Sequence, residues 1–295
     1  MGLAGEAGSA SNGSRRMRVV GSAADLARAQ PGVDGRGGAQ RVSVLEIEPA
    51  LCDGLDSRTL PSAARSAAAT TWSLSRGRWQ SEPWMFDRRG SLGLMVIDGL
   101  IARQVLVGEM EAVELVGPGD VLRPWAEVDR EMAQQIRESW IVTRRARLAL
   151  LDRAFAVSVS AWPEIAANIS DRVAMRVGWM ALCSAIQGIR RIDDRLLALL
   201  WSYADRWGRV TPGGVLLELE LTHRLLAGVV GARRPSVTTA LKALEASGAL
   251  TRRRDRSWLL HGERPAILAT LAEPPPRAPE LHSSDRGGGM LKIAG

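Results

Sequence analysis

The run Leu221-Thr-His-Arg-Leu-Leu-Ala-Gly-Val-Val-Gly-Ala-Arg-Arg-Pro-Ser-Val-Thr-Thr-Ala-Leu-Lys-Ala-Leu-Glu-Ala-Ser-Gly-Ala-Leu250 decides how the rest of the chain is read. Thr222 can cap a short helix from His223 to about Val230, because its hydroxyl accepts one of the backbone N–H groups that a first turn leaves unpaired. Gly231 supplies a sharp turn. Pro235 suits the start of a second helix, where its missing N–H is no loss, and that helix runs to about Ser247 with Val237, Leu241 and Leu244 facing inward. Gly248 can close it in a left-handed cap. Ala249-Leu-Thr251 and Ser257-Trp-Leu-Leu260 then read as short strands joined by the basic tip Arg252-Arg-Arg-Asp-Arg256. Helix, glycine turn, helix and hairpin is the order of a winged helix-turn-helix.

Charge falls on the same segment. Between Thr222 and Arg264 there are eight Arg and one Lys against Glu245, Asp255 and Glu263, a net of +6, while the whole chain of 295 residues carries +7. Basic charge concentrated on one small domain is the footprint of phosphate binding, which counterion release strengthens. A solvated basic surface on a winged helix that binds another protein is the alternative. The two differ in salt dependence, steep for DNA and nearly flat for an apolar interface.

Upstream, Val215 to Leu221 reads as a strand after a Thr211-Pro-Gly-Gly214 turn, and Asp193 to Trp207 as an amphipathic helix with Leu196, Leu199, Leu200 and Tyr203 on one face. Before it, Pro163 opens a helix of about 25 residues ending near Gly188. Ile165, Ile169, Val173, Val177 and Met180 form its apolar stripe. That length suits a seam between two copies of the chain, with packing inside one chain as the alternative. From Val42 to Leu151 short apolar runs are cut by Gly and Pro, the pattern of an antiparallel barrel or roll. Asp98-Gly99 reads as a tight hairpin between Leu92–Ile97 and Leu100–Val107, and Gly117-Pro-Gly-Asp120 as a type II turn.

The quoted run is similar to the C-terminal DNA-binding domain of the Crp/Fnr family of bacterial transcription regulators. Gly117-Pro-Gly-Asp120-Val-Leu matches a turn late in that family's β-roll sensor, and the helix from Pro163 matches its dimerisation helix. The resemblance covers roughly 42 to 262. It implies an α+β chain with a β-roll over 41–160, a dimerisation helix over 161–190 and a winged helix over 191–264. Composition alone, rich in Gly, Ala and Ser before and with Pro274-Pro-Pro276 and Gly287-Gly-Gly289 after, reads as a disordered arm over 1–40 and a disordered tail over 265–295. The resemblance places Arg234, Ser236 and Thr239 on the face presented to base edges or adjacent phosphates, where Arg234 can donate to guanine O6 and N7. It places Thr222 and His223 at phosphate. Arg233, Thr238, Lys242, Arg252, Arg253, Arg254 and Arg256 join them on charge and position. The cyclic-AMP receptor protein has Glu and Arg where this chain has Pro235 and Thr239, so its base preference does not carry over.

The expected partners are double-stranded DNA and a second copy, with RNA polymerase a candidate third. No cofactor is identified. The Gly-Glu and Arg-Ser pairs that cradle a cyclic phosphate do not follow Asp120, which leaves Arg123, beside Trp125, as a lone phosphate candidate and disfavours cyclic-nucleotide binding. Haem is disfavoured because His223, His261 and His282 are the only histidines, although Cys52 is a conceivable thiolate. The ten tryptophans, Trp72, Trp79, Trp84 and Trp125 among them, could line an effector pocket but read rather as core and surface filler. Two cysteines exclude a disulfide scaffold. No G-x-S-x-G, G-x-x-x-x-G-K, H-E-x-x-H or C-x-x-C motif occurs, so an enzyme is not expected. The longest uncharged apolar stretch in the second half, Val177 to Ile189, falls short of a membrane span, and the Arg15-Arg16 region lacks the apolar core of a signal peptide. A cytoplasmic location follows as the expectation.

Overall fold

The computed structural model describes residues 40–79, 90–108, 110–124 and 137–269. The arm expected over 1–40 lies outside them except for Gln40, as does the tail beyond Ala269 and as do Trp84 and Trp125. The first half runs β1 (Arg41–Ser43), α1 (Val44–Ile47), a 3-10 turn (Pro49–Cys52), α2 (Leu60–Ser66), β2 (Ala68–Leu74), β3 (Gly77–Trp79), β4 (Gly93–Val107), β5 (Met110–Val116), β6 (Val121–Leu122), β7 (Arg137–Leu151) and α3 (Arg153–Ser158). The strands form one antiparallel sheet in the order β1-β2-β7-β4-β5, with β3 beside β7 and β6 beside β4.

Successive residues of a strand face opposite sides of the sheet, and β4 is buried on both. Met95 and Ile97 join Val44, Leu45, Ala63 and Leu151 on one side, while Leu94 and Val96 join Leu74, Trp79, Trp140 and Leu148 on the other. Burial on two sides is why Leu94-Met-Val-Ile97 is apolar without interruption.

Asp98-Gly99 is not a hairpin. It lies within β4, where the register against β7 shifts between Val96, Asp98, Leu100 and Ile101. Gly99 sits at φ +97, and a Cβ there would stand 2.3 Å from Ala146 Cα. The glycine is needed for a bulge in a bent strand, which requires the same positive φ as a tight turn. The reversal into β5 comes ten residues later, with Val107 opposite Met110 and Gly108 at φ +59.

The second half holds α4 (Pro163–Gln187), α5 (Ile192–Trp207), β8 (Gly208–Thr211), β9 (Gly214–Leu217), α6 (His223–Val230), α7 (Arg234–Ala246), β10 (Leu250–Arg252), β11 (Trp258–Leu260) and α8 (Ala266–Ala269). Its strands form a four-stranded sheet in the order β10-β11-β9-β8. The strand expected to reach Leu221 stops at Leu217, and β8, which was not expected, pairs with it from Gly208↔Leu217 to Thr211↔Gly214. Among the described residues no helix is long and apolar enough to cross a membrane.

The stripe assigned to a dimer seam on α4 divides. Ile165 and Ile169 are fully buried within the chain, packed with Leu51, Phe155 and Val159, and Val173 lies against the same cluster. They cannot line a seam, because their apolar surface is already covered by the sensor half. Polar groups fix this side too: Asn168 Nδ2 donates to the carbonyls of Leu51 (3.0 Å) and Asp53 (2.9 Å), and Arg172 pairs with Glu48 (2.7 Å). Val177 and Met180 stay exposed, together with Met175.

Candidate nucleic-acid interface

Helix α6 is capped at both ends. Thr222 Oγ1 accepts the Leu225 N–H at 3.2 Å, and Gly231 adopts the left-handed conformation (φ +62, ψ +45) while the Ala232 N–H returns to the Ala227 carbonyl. A cap of the Thr222 type is worth about 1 kcal/mol. Leu225, Leu226, Val229 and Val230 are buried, and they meet Val237, Leu241 and Leu244 of α7 in one core. Burying that side of α7 turns Arg234, Pro235, Thr239 and Lys242 outward, with Ser236 and Thr238 half-buried. Arg233 precedes the helix and is exposed. The hydroxyls of Thr238 and Thr239 donate to the carbonyls of Arg234 (3.1 Å) and Pro235 (3.2 Å), so either must give up a bond within the helix to donate elsewhere.

Between β10 and β11 the tip is a hydrogen-bonded turn. The Arg253 N–H donates to the Ser257 carbonyl and the Arg256 N–H to that of Arg253, with Arg256 at φ +66. Asp255 accepts from the hydroxyl and the N–H of Ser257, and these bonds hold its carboxyl below the usual range. The basic residues differ in what engages them. Arg256 pairs with Glu220 (3.3 Å), Arg253 with Asp255 (3.7 Å), Arg224 with Glu111 of β5 (3.8 Å) and Arg264 with Asp205 (2.8 Å). Arg252 lies over the Trp258 ring and reaches His223. Arg233, Arg234, Lys242 and Arg254 are exposed and make no ion pair among the described residues. Exposed ion pairs contribute only about 0–1 kcal/mol, so a phosphate can displace even the engaged ones.

A second polar cluster, which the sequence does not announce, joins this domain to the sheet. Gly117-Pro-Gly-Asp120 is a turn with Gly119 at φ +83 and the Asp120 N–H on the Gly117 carbonyl (3.0 Å), as type II geometry demands. Asp120 is buried. One carboxylate oxygen takes the Gly117 N–H at 2.9 Å and the other takes the Arg206 guanidinium. Arg206 lies over the rings of Trp179 (4.5 Å) and Trp207 (4.3 Å), and Trp207 Nε1 donates to the Pro118 carbonyl. Burial pushes the Asp120 carboxyl above its ordinary range, against the pull of Arg206 and of the Gly117 amide. Beside it, Arg176 of α4 grips Glu114 with two bonds of 2.9 Å and donates to the Val121 carbonyl. Gly228 of α6 sits so close to β5 that a Cβ would meet Val113 Cγ2 at 2.3 Å. Arg206 and Trp207 close α5, beyond the apolar face that Leu196, Leu199, Leu200 and Tyr203 mark in the sequence.

Among the described residues no group of His, Cys, Asp and Glu could hold a metal ion. Burial raises both thiols, Cys52 with help from the Asp53 charge and Cys183 up to about 11, so both are protonated at neutral pH.

Comparison with known proteins places this architecture. Residues 194–264 match the Crp-like helix-turn-helix domain. Among solved structures, the fold is similar to a CooA mutant from Carboxydothermus hydrogenoformans (TM-score 0.51, 19% identity, covering 75% of this chain and 93% of that one). It is similar also to FixK2 from Bradyrhizobium japonicum (TM-score 0.51, 17% identity, 69% of this chain and 96% of that one). A cyclic nucleotide-binding domain containing protein from Listeria monocytogenes EGD-e gives TM-score 0.51 at 16% identity, covering 65% and 88%. No curated protein matches the chain. Residues 194–264 therefore form a Crp-like helix-turn-helix domain, on a chain whose fold is similar to those of CooA and FixK2.

Proposed function

We propose that the protein is a homodimeric, sequence-specific transcription regulator whose α7 enters the major groove. The observation that carries this is the outer edge of the helix-turn-helix. Arg233, Arg234 and Lys242 on and before α7, and Arg254 on the wing, are exposed cations without acidic partners among the described residues. Arg234 is the group for a base edge. Thr222, His223, Ser236, Thr238, Thr239 and the wing arginines serve the backbone or neighbouring positions.

For the dimer, the side of α4 turned away from the sheet supports a seam shifted from the apolar stripe. Ala167, Ala174, Val177, Gly178, Ala181 and Ala185 recur there at helical spacing and are exposed. Small side chains let two helices approach closely, and Val177 and the flanking Met175 and Met180 supply apolar area. For the sensor, the support favours a roll filled by its own side chains over a cyclic-nucleotide pocket. Trp79 and Trp140 meet edge-to-face at 5.8 Å within the apolar cluster, and Arg123 Nε is engaged by the Leu92 carbonyl.

The test is a titration of the full chain against a duplex selected from random sequence and a scrambled one, at several salt concentrations. DNA binding predicts a steep fall of log affinity with log salt and a preference for the selected duplex; a flat response indicates a protein-binding winged helix instead. Light scattering on Val177→Arg tests the seam. This side chain is already exposed in one chain, so the substitution should leave the fold intact and yield monomers, and an unchanged dimer places the interface elsewhere.

A further inference from the structure

His223 stands where α6, α7 and the wing meet. Its Nδ1 lies 2.9 Å from Thr238 Oγ1, and Thr238 Oγ1 lies 3.1 Å from the Arg234 carbonyl. On the other side of the ring, Nε2 lies 3.4 Å from Arg252 Nη1. A guanidinium only donates, so Nε2 must be the acceptor and Nδ1 must carry the hydrogen. Every proton then has a place: Arg252 donates to Nε2, Nδ1–H donates to Thr238 Oγ1, and the Thr238 hydroxyl donates to the Arg234 carbonyl. This chain runs from the wing to the first turn of α7 and closes only around a neutral ring.

The charged groups around the ring agree. Arg252 faces it from β10, Arg234 and Glu245 from α7, and Arg224 follows it on α6 but pairs with Glu111. Burial, then Arg252 and Arg234, hold the imidazole below its usual range, and Glu245 opposes them. Arg252 also lies over a ring, 5.4 Å from the centroid of Trp258.

We infer that His223 is a positioning residue that ties the wing to the recognition helix through one proton. Neutral, it accepts from Arg252 and keeps that guanidinium against α7. On taking a proton from solvent it has no lone pair left for Arg252, releases it, and offers its own Nε2–H to a phosphate. This rests on the DNA-binding reading above. The gain on protonation is two cations for the backbone and none for a base edge, so acid strengthens binding to the selected and the scrambled duplex by similar factors.

Anisotropy titrations of the full chain between pH 8.0 and 5.5 test this. If a phosphate raises the ring's affinity for its proton by about one pH unit, the scrambled duplex binds several-fold tighter at the acid end, with about tenfold as the limit. The salt slope should steepen by roughly 0.9 per added phosphate contact. His223→Gln, which cannot titrate, should show no such gain over the range, while His261→Gln should keep the full profile. Proton–nitrogen correlation spectra of the DNA-free protein at pH 7.5 should show the His223 hydrogen on Nδ1. A profile that survives in His223→Gln, a flat profile in the parent chain, or a hydrogen on Nε2 overturns the inference. Salt-steep duplex binding without any effect of His223 on pH would sink this inference alone, whereas salt-insensitive binding at every pH would remove the DNA-binding reading beneath it.

Discussion

Arg206 and Arg254 carry the same guanidinium in opposite settings. Arg206 lies over the rings of two tryptophans and binds a buried carboxylate, whereas Arg254 stands on an exposed turn and makes no ion pair among the described residues. A buried guanidinium must be matched where it sits, because desolvation penalises any unpaired charge by several kcal/mol. An exposed one keeps its hydration and gives it up only to a partner of high charge density. The junction and the outer edge of the helix-turn-helix are thus two uses of arginine, one matched to a carboxylate within the chain and one left open to an anion from outside. Composition counts them alike.

The largest effect should come from breaking the junction. Asp120→Ala removes the carboxylate and leaves Arg206 partly buried with no counter-charge, a change that typically costs about 3–5 kcal/mol. It also frees the Gly117 N–H of the turn. Urea denaturation should show that loss, and tryptophan emission should report release of Trp179 and Trp207 from the cation. A loss below about 1 kcal/mol, the range of an exposed pair, would erase the contrast on which the comparison rests.

At the recognition edge the expected effects are smaller and selective. Arg234→Ala should cost about 1–3 kcal/mol on the selected duplex and little on the scrambled one, relaxing one base pair per half-site. Fold stability should hardly move, since Arg234 is exposed. Equal losses on both duplexes would reassign Arg234 from base to backbone.

How far these roles could be read in advance depended on the distance over which each is decided. The helix-turn-helix is written locally: Thr222, Gly231, Pro235 and Gly248 each set a helix end within a few residues, and all four act where expected. Gly99 is different. Whether Asp98-Gly99 turns or bulges depends on the backbone of Ala146, far along the chain, and the local φ requirement is the same in both cases. The stripe on α4 shows the same limit. Periodicity reports that Ile165 and Ile169 need cover, not whether the cover comes from the same chain or a second copy. The Asp120–Arg206 contact joins residues that no short window contains.

The His223 linkage predicts a pH effect on the fold itself. The folded ring titrates below the unfolded value, near 6.5. The unfolded chain therefore binds more protons between the two values, and stability falls as pH is lowered through that window. The contribution is fully present above pH 6.5 and fades below it. Melting temperatures of the parent and His223→Gln should accordingly converge on acidification; divergence would mean that the ring prefers its proton when folded.

The smallest expected difference lies within the wing, and it tests the comparison most finely. Arg254 has no carboxylate to leave, whereas Arg256 is held 3.3 Å from Glu220 by a turn that places its backbone at φ +66. A phosphate contact from Arg254 releases counterions outright, and each such contact contributes roughly 0.9 to the slope of log affinity against log salt. A contact from Arg256 must first trade Glu220 for phosphate, an exchange of one paired anion for another that releases fewer ions. Arg254→Ala should therefore flatten the salt slope by close to the full contact, and Arg256→Ala by a fraction of it, with the same change on selected and scrambled duplexes. Glu220→Gln should then bring Arg256 up to the behaviour of Arg254. If Arg256→Ala flattens the slope as much as Arg254→Ala before Glu220 is neutralised, the ion pair gives way to DNA at no measurable cost, and pairing within the wing has no bearing on which arginines bind.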